Sequence, residues 1–386
     1  MKFNLGFGEE WKSLREFEKL TLDERSIVFY AENRASMNHY REIIEELTEQ
    51  KNLKICYVTS MKNDPILTTK NQNILSFFIG DGTVRTKFFL TLKARILIMD
   101  MPDLETFHIK RSKVYPVHYI YIFHSMFSIH SYLRKGAVDN YDTIFCVGKH
   151  HEDEIRETEK VYRLNKKRLI KYGFGRLDTL LKEKNNFYKD PKISENLILI
   201  APSYGKDNLL EVCGIELIDL LLKSNFQVLL RPHFRILQDS KKLMEEIISR
   251  FNDNSNFILE KGVIPKEKFY NSTCMISDWS GISLEYAFTF EQPVIFIDVP
   301  KKNLNDNVND ISMKPIEISI REKIGHVVKI EEINKIPELI KSDYKNNNMK
   351  EQIRKIRSDT VYNIGQSAQI GSEIIEQMYK ELEKKN

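Results

Sequence analysis

The sequence offers few of the features that assign a chain to a class at sight. Its four cysteines, Cys56, Cys146, Cys213 and Cys274, are far apart and none forms a C-x-x-C pair. Three sit in apolar runs (KICYV, TIFCV, TCMIS), where a free thiol behaves as a small hydrophobe. All four read as reduced, structural residues. No stretch reaches the roughly 18 apolar residues that span a bilayer. Residues 1–10 lack the charged start, apolar run and cleavage site of a signal peptide, so the chain is expected in the cytoplasm. Net charge is +4, from 59 basic and 55 acidic residues, too little to argue for nucleic acid. There is no Walker A motif, no G-x-S-x-G elbow and no short internal repeat. Gly173-Phe-Gly-Arg-Leu-Asp178 is too short for a dinucleotide fingerprint. Asp100 and Asp103 follow a strand without forming the D-x-D of metal-dependent transferases, and His150-His151 lacks zinc-ligand spacing. Neither metal nor cofactor is expected.

What is present is an alternation. In 386 residues, 41% hydrophobic and 30% charged, short apolar runs alternate with longer amphipathic stretches. Strands are expected at 27–30, 54–59, 75–79, 95–99, 117–123, 143–147 and 169–172, with helices at 36–50, 151–164 and 177–187. Near-continuous apolar strands separated by helices imply a parallel sheet covered on both faces. Residues 182–195 are polar, contain Pro191 and read as a linker. The pattern then restarts. Strands are expected at 197–201, 226–230, 274–277 and 294–297, with helices at 209–223, 236–251 and 282–290. Residues 303–314 are rich in Asn and Asp and read as a surface loop, and the tail from 342 reads as charged helices interrupted near 361–365. Residues 10–20 place Trp11, Leu14, Phe17 and Leu20 at helical spacing, which suits a core helix better than a membrane-lying one.

The fold class is therefore α/β, with two Rossmann-like domains in the layout of the GT-B architecture. Residues 1–188 form the first domain and 189–350 the second. Residues 351–386 are expected to be helices packing back toward the first. In such a layout the ligand lies in a cleft at the carboxyl ends of the strands.

Three segments carry chemistry. The run Val228–Leu230 ends abruptly in Arg231-Pro232-His233, and Pro232 cannot donate to a ladder, so the strand stops there. That leaves a guanidinium fork suited to phosphate and an imidazole able to give a proton at a carboxyl end. Taken alone, an ion-paired arginine and a capping histidine explain it equally well. Ser277-Asp278-Trp279-Ser280-Gly281 joins a strand to an amphipathic helix, a geometry whose amides bind phosphate. Ser280 is the expected N-cap and Gly281 admits close approach, though a capped helix without ligand reads the same. In the first domain, His124 and Ser125 end an apolar strand, and His130 would begin the next helix. His124 is a candidate general base for an incoming hydroxyl, or a loop cap.

Taken in order, His124, the Gly173–Asp178 turn, Arg231-Pro-His233 and Ser277–Gly281 resemble the CDP-glycerol glycerophosphotransferase family of teichoic-acid and capsule synthesis. The turn is similar to that family's G-x-P-R-x-D segment. Val361-Tyr-Asn-Ile-Gly-Gln-Ser367 is similar to its Y/F-N-x-G-x-S element. The likeness covers roughly 121–375. It implies a GT-B transferase passing glycerol phosphate, or ribitol phosphate, from a CDP-linked donor to a hydroxyl of a polymer or glycan, lipid-linked or free, with release of CMP. It implies that His233 assists the leaving CMP and that His124 acts as base. Arg231, Ser277, Ser280, Gly281 and Arg176 would bind the donor, and Asp278 and Glu285 would serve ribose or ordering roles. Ser125 and His130 fall on the acceptor side. The chain departs from the pattern with Phe123-His-Ser125 where that family has W-H-G, and with Gly175 for Pro. Action without metal and peripheral contact with the inner membrane face are further expectations. Two other readings stand beside this one: a glycosyltransferase using a nucleotide sugar, and a non-catalytic binder of nucleotide or polymer in a capsule or wall assembly complex.

Overall fold

A computed structural model describes residues 8–187, 196–261, 266–301, 305–343 and 347–384. The chain folds as two compact units. Unit 1 comprises Met1–Thr179, Leu304–Ser312 and Thr360–Asn386, and unit 2 comprises Leu180–Asn303 and Met313–Asp359. The division thus falls inside the helix Gly175–Phe187, ahead of residue 188, and the chain re-enters unit 1 twice.

Unit 1 is built on seven strands: β1 (Ile27–Ala31), β2 (Ile55–Thr59), β3 (Ile74–Phe78), β4 (Ile96–Met99), β5 (His118–Ile122), β6 (Thr143–Cys146) and β7 (Arg168–Lys171). All pair in parallel, in the order β3-β2-β1-β4-β5-β6-β7. Every residue of β1, β2, β4 and β6 is buried, as expected for strands covered on both faces. Helix Met37–Glu45 packs Tyr40, Ile43 and Ile44 against this sheet, and helix Ser367–Glu383 adds Ala368, Ile375 and Met378 to the same cluster. Burying Ile375 and Met378 contributes roughly 2 kcal/mol each, so the last helix belongs to the core of unit 1.

The two segments similar to the family's turn and C-terminal element lock together here. The buried Asp178 carboxylate accepts the Gly365 N–H at 2.7 Å and the Ser367 N–H at 3.0 Å. The Tyr362 N–H reaches the Val147 carbonyl at 2.8 Å. Gly148 and Gly173 let the backbone cross so closely: a Cβ on either would collide with the carbonyl of Thr360 or Tyr362, and Gly173 has φ +104°.

Unit 2 has six parallel strands: β8 (Leu197–Ala201), β9 (Gln227–Leu230), β10 (Phe257–Leu259), β11 (Cys274–Ser277), β12 (Val294–Ile297) and β13 (Gly325–Val328). Their order is β10-β9-β8-β11-β12-β13. The outer strands β10 and β13 and, in unit 1, helix Thr83–Thr91 add to the expected elements.

Three expectations are corrected. The helix read over 236–251 is two, Phe234–Asp239 and Lys241–Phe251. They are broken at Ser240, whose Oγ bonds Glu211. Residues 182–187 are helical, and the rest of the expected linker, 188–195, lies outside the described residues. The Asn/Asp-rich segment is not a surface loop throughout. Asn305 is buried and donates to the His130 carbonyl at 2.9 Å, and Ile311 is buried in unit 1. Helix Glu9–Lys19 buries Leu14 and Phe17, as a core helix should. The four cysteines are buried and free. Among the described residues no helix is long and apolar enough to cross a membrane.

Candidate functional site

In unit 1 the strand order reverses between β1 and β4, which opens a crevice at their carboxyl ends. The residues that follow β1, β4 and β5 meet there. Asp100, just past β4, takes the Ser36 hydroxyl on Oδ1 at 2.9 Å and the Tyr40 hydroxyl on the same oxygen at 2.6 Å. Burial raises its pKa, opposed by the Tyr40 bond, the His124 charge and the Ser36 bond. Its backbone carbonyl lies 3.1 Å from His124 Nδ1. A carbonyl only accepts, so Nδ1 carries the proton and Nε2 holds the lone pair. His124 is thus held, half-exposed, in the tautomer that can take a proton.

The loop after His124 is pinned from behind. Helix Lys149–Tyr162 presents His150 Nε2 to the Met126 carbonyl at 3.0 Å and His151 Nε2 to the Phe127 carbonyl at 2.9 Å. Burial depresses the pKa of both rings. Glu154 takes the Ile129 N–H at 2.6 Å and stands 3.1 Å from His130 Nδ1. The His130 side chain is only 3% exposed, so it anchors the loop and does not meet an acceptor, contrary to the sequence expectation. Ser125 is half-exposed and accepts the Phe127 N–H, a local turn that leaves it beside His124.

In unit 2 the order reverses between β8 and β11, and β9 flanks β8. Arg231, anchored by its N–H to the Ile200 carbonyl, and His233 follow β9. His233 is the N-cap of helix Phe234–Asp239: its Nδ1 accepts the Arg235 N–H at 3.2 Å. With Nδ1 accepting, the neutral ring carries its proton on Nε2. Tyr204, in the loop after β8, stacks on His233 with centroids 4.6 Å apart, and Arg235 lies 4.8 Å over Tyr204.

Asp278 joins the loops after β8 and β11. Its oxygens accept the Ser203 N–H at 2.7 Å and the Leu209 N–H at 3.0 Å. Of the two roles the resemblance allows it, this arrangement supplies the ordering one. Ser277 is fully buried and spends its hydroxyl on the Ala201 carbonyl, so it cannot reach a donor. The cap of helix Ile282–Phe290 is Gly281 and not the side chain of Ser280, because the turn starts one residue later; the Ser280 carbonyl receives the Ser283 hydroxyl instead. Ser280, Gly281 and Glu285 remain partly exposed at this helix start. Trp279 is held by its indole N–H to the Val299 carbonyl at 3.1 Å and by Arg321, 4.2 Å over the ring. Arg321 is itself paired with Asp298 at 3.2 Å. Arg176 lies in unit 1, next to Phe174 and within electrostatic reach of His39.

The sequence reading missed Tyr204, Arg321 and His39. Tyr204 and Arg321 matter only through strand adjacency, which no local pattern reveals. Among the described residues no group of three His, Cys, Asp or Glu is placed to hold a metal ion.

Comparison with known proteins follows this geometry. Residues 13–369 match the model of the family described as CDP-Glycerol:Poly(glycerophosphate) glycerophosphotransferase. Among solved structures, the Wall Teichoic Acid Polymerase TagF is similar with a TM-score of 0.64 at 14% identity, covering 96% of this chain and 94% of that one. A UDP-GlcNAc 2-epimerase from Methanocaldococcus jannaschii, in complex with UDP-GlcNAc and UDP, is similar with a TM-score of 0.55 at 12% identity, covering 91% of this chain and 99% of that one. These likenesses show a GT-B-like fold. No curated protein matches in sequence.

Proposed function

The chain belongs to the CDP-glycerol:poly(glycerophosphate) glycerophosphotransferase family, and from that premise we propose how its two units divide the reaction. Unit 2 takes the CDP-glycerol donor and unit 1 the acceptor hydroxyl, at the end of a glycerol-phosphate polymer such as the wall teichoic acid named for TagF. A variant of that polymerase has been soaked with CDPG, which supports the donor assignment. The acceptor oxygen attacks the β-phosphorus of CDP-glycerol, and its proton passes to His124 Nε2. The bond from that phosphorus to the bridging oxygen breaks. CMP leaves as a phosphate dianion whose new terminal oxygen accepts a hydrogen bond from the His233 Nε2–H, and the proton taken by His124 passes on to water. Arg231 and the amides at the start of helix Ile282–Phe290 offset charge on the diphosphate. The chain acts in the cytoplasm on an acceptor at the inner membrane face, and needs no metal ion because these groups supply the positive field.

The observation that carries this reading is the pair of opposite tautomers, a proton acceptor at His124 and a hydrogen-bond donor at His233. It is tested by incubating purified protein with CDP-glycerol and a glycerol-phosphate oligomer and measuring CMP, with and without EDTA. CMP release that survives EDTA is expected. UDP release from UDP-sugars without CMP release would favour a glycosyltransferase. Loss with EDTA, restored by magnesium, would overturn the metal-free part alone.

A further inference from the structure

Unit 2 leaves one large ring in solvent beside His233. Phe234 is 60% exposed, the most exposed large hydrophobic side chain among the described residues. Pro232 stops the strand, His233 takes extended backbone at φ −60° and ψ 143°, and Phe234 is the first residue of helix Phe234–Asp239. Side chains on a helix lean toward its N-terminus, so the Phe234 ring leans back against His233. Their centroids are 4.5 Å apart and their planes 34° apart. Tyr204 lies 4.6 Å from the same imidazole with its plane 31° away. Among the described residues Tyr204 and Phe234 make no ring contact with one another, so the imidazole stands between them in a short stack.

The two ends of this stack differ. Tyr204 is half-buried and carries the Arg235 guanidinium 4.8 Å over its ring. Phe234 has no ring contact besides His233 among the described residues, and its outer face is open. The exposed residues that share its helix, Arg235, Gln238 and Asp239, are polar. A lone ring among polar side chains is too small a patch for a partner protein or a lipid surface, and it fits one planar group. The Arg235 guanidinium has no ion pair among the described residues, so its charge is available to an anion. A flat ring joined to an anion is the chemistry of a nucleotide.

We infer that Phe234 is the platform on which the donor's nucleobase stacks while His233 Nε2 meets the diphosphate. The inference rests on the function proposed above and names the element that holds the nucleoside. In a nucleoside diphosphate one ribose separates the base from the phosphates. Phe234 and His233 are adjacent residues with rings in contact, so one ligand reaches both. Stacking is blind to which base is present, because every base has a π face. Phe234 therefore supplies affinity for the nucleoside, and the choice of cytosine falls to hydrogen-bonding groups elsewhere.

The test uses the full chain and calorimetry with CMP and with inorganic pyrophosphate. Phe234→Ala removes the ring, Phe234→Leu keeps an apolar side chain without one, and Phe234→Trp offers a larger ring. CMP affinity should fall about tenfold in Phe234→Ala and in Phe234→Leu, within the range for one base stacked on an aromatic side chain. It should be kept or raised in Phe234→Trp. Pyrophosphate affinity and melting temperature should stay with those of the unmodified chain in all three, because the ring is exposed and the diphosphate groups are untouched. CMP affinity kept in Phe234→Leu, or lost by the same factor as pyrophosphate affinity, would overturn the platform. The function reading fails separately. If the unmodified chain binds UMP and not CMP, the CDP-linked donor falls, and the same variants measured with UMP still decide the platform. No binding of either nucleotide overturns both.

Discussion

Replacing Asp278 by asparagine asks whether this carboxylate orders the donor loop or touches the donor. Asp278 is 1% exposed, and each of its oxygens accepts one backbone N–H, from Ser203 and from Leu209. Asparagine keeps one acceptor and turns an NH2 toward the other N–H. One hydrogen bond to a charged acceptor, about 1.5–3 kcal/mol, is lost, and a buried donor is left unpaired at a further cost of about 1–3 kcal/mol. Allowing for relaxation of the exposed part of the loop, the expected destabilisation is about 3 kcal/mol. Asp278→Ala, which loses both bonds, should reach about 4–5 kcal/mol.

The chain has two tryptophans, Trp11 in unit 1 and Trp279 in unit 2. In a Trp11→Phe background, fluorescence during urea unfolding reports unit 2 alone. With a denaturant slope of about 2 kcal/mol/M, 3 kcal/mol lowers the midpoint by about 1.5 M. Donor affinity should fall with it, because Tyr204, carried by the same loop as Ser203, packs on His233. A variant whose midpoint moves by less than about 0.3 M while donor binding is lost would refute the reasoning. The carboxylate would then be meeting the donor directly.

Further outcomes follow from the same geometry. His124→Ala should cut turnover about 10²- to 10⁴-fold, the range for a lost general base, and CMP release measured against CMP binding checks that the loss is in chemistry. His233→Asn keeps an acceptor for the Arg235 N–H and loses the ring donor, whereas His233→Gln does the reverse. The first should melt like the unmodified chain yet lose most turnover, and the second should melt lower and retain more. Burial pushes the thiols of Cys56 and Cys213 up to about 12 and that of Cys146 higher still. A raised thiol pKa means almost no thiolate at pH 8, so a thiol-disulfide reagent should leave these three buried cysteines unmodified natively and modify them in denaturant.

Much of the fold was legible because covered parallel strands announce themselves as apolar runs. β1, β8, β11 and β12 were placed within a residue. The edges were less visible. β10 has three residues, two of them part-exposed, and β13 opens on Gly325, so neither carries a run long enough to register. Composition misled at 305–312, where the buried amide of Asn305 serves a carbonyl 175 residues away in sequence. The candidate site was legible where a strand ends in polar residues, as at His124 and Arg231. It was not legible where adjacency decides. Ser277 and Ser280 looked like ligands for phosphate from the strand–loop–helix pattern, but one hydroxyl serves the neighbouring strand and the cap lies one residue on. His39 sits in an amphipathic stretch that reads as core, and only the reversal of strand order beside β1 gives it a neighbour in His124.

The two histidines given roles in the proposed reaction are oriented by main chain. Asp100 shows His124 its carbonyl and keeps its carboxylate for Ser36 and Tyr40, and His233 is set by the N–H of Arg235. The bond recorded at each Nδ1 is to main chain, which does not confer the base strength of a carboxylate partner. A phosphoryl transfer tolerates this, since its loose transition state asks little of the base and much of the field around the diphosphate. The larger share of rate enhancement should then lie with Arg231 and the amides ahead of Ile282, held in register by Asp278 and by the Trp279–Arg321 stack. On that account the loop ties of unit 2, which touch no substrate, carry more of the catalysis than their distance from the chemistry implies, and the tautomers decide which ring takes the proton and which only donates a hydrogen bond.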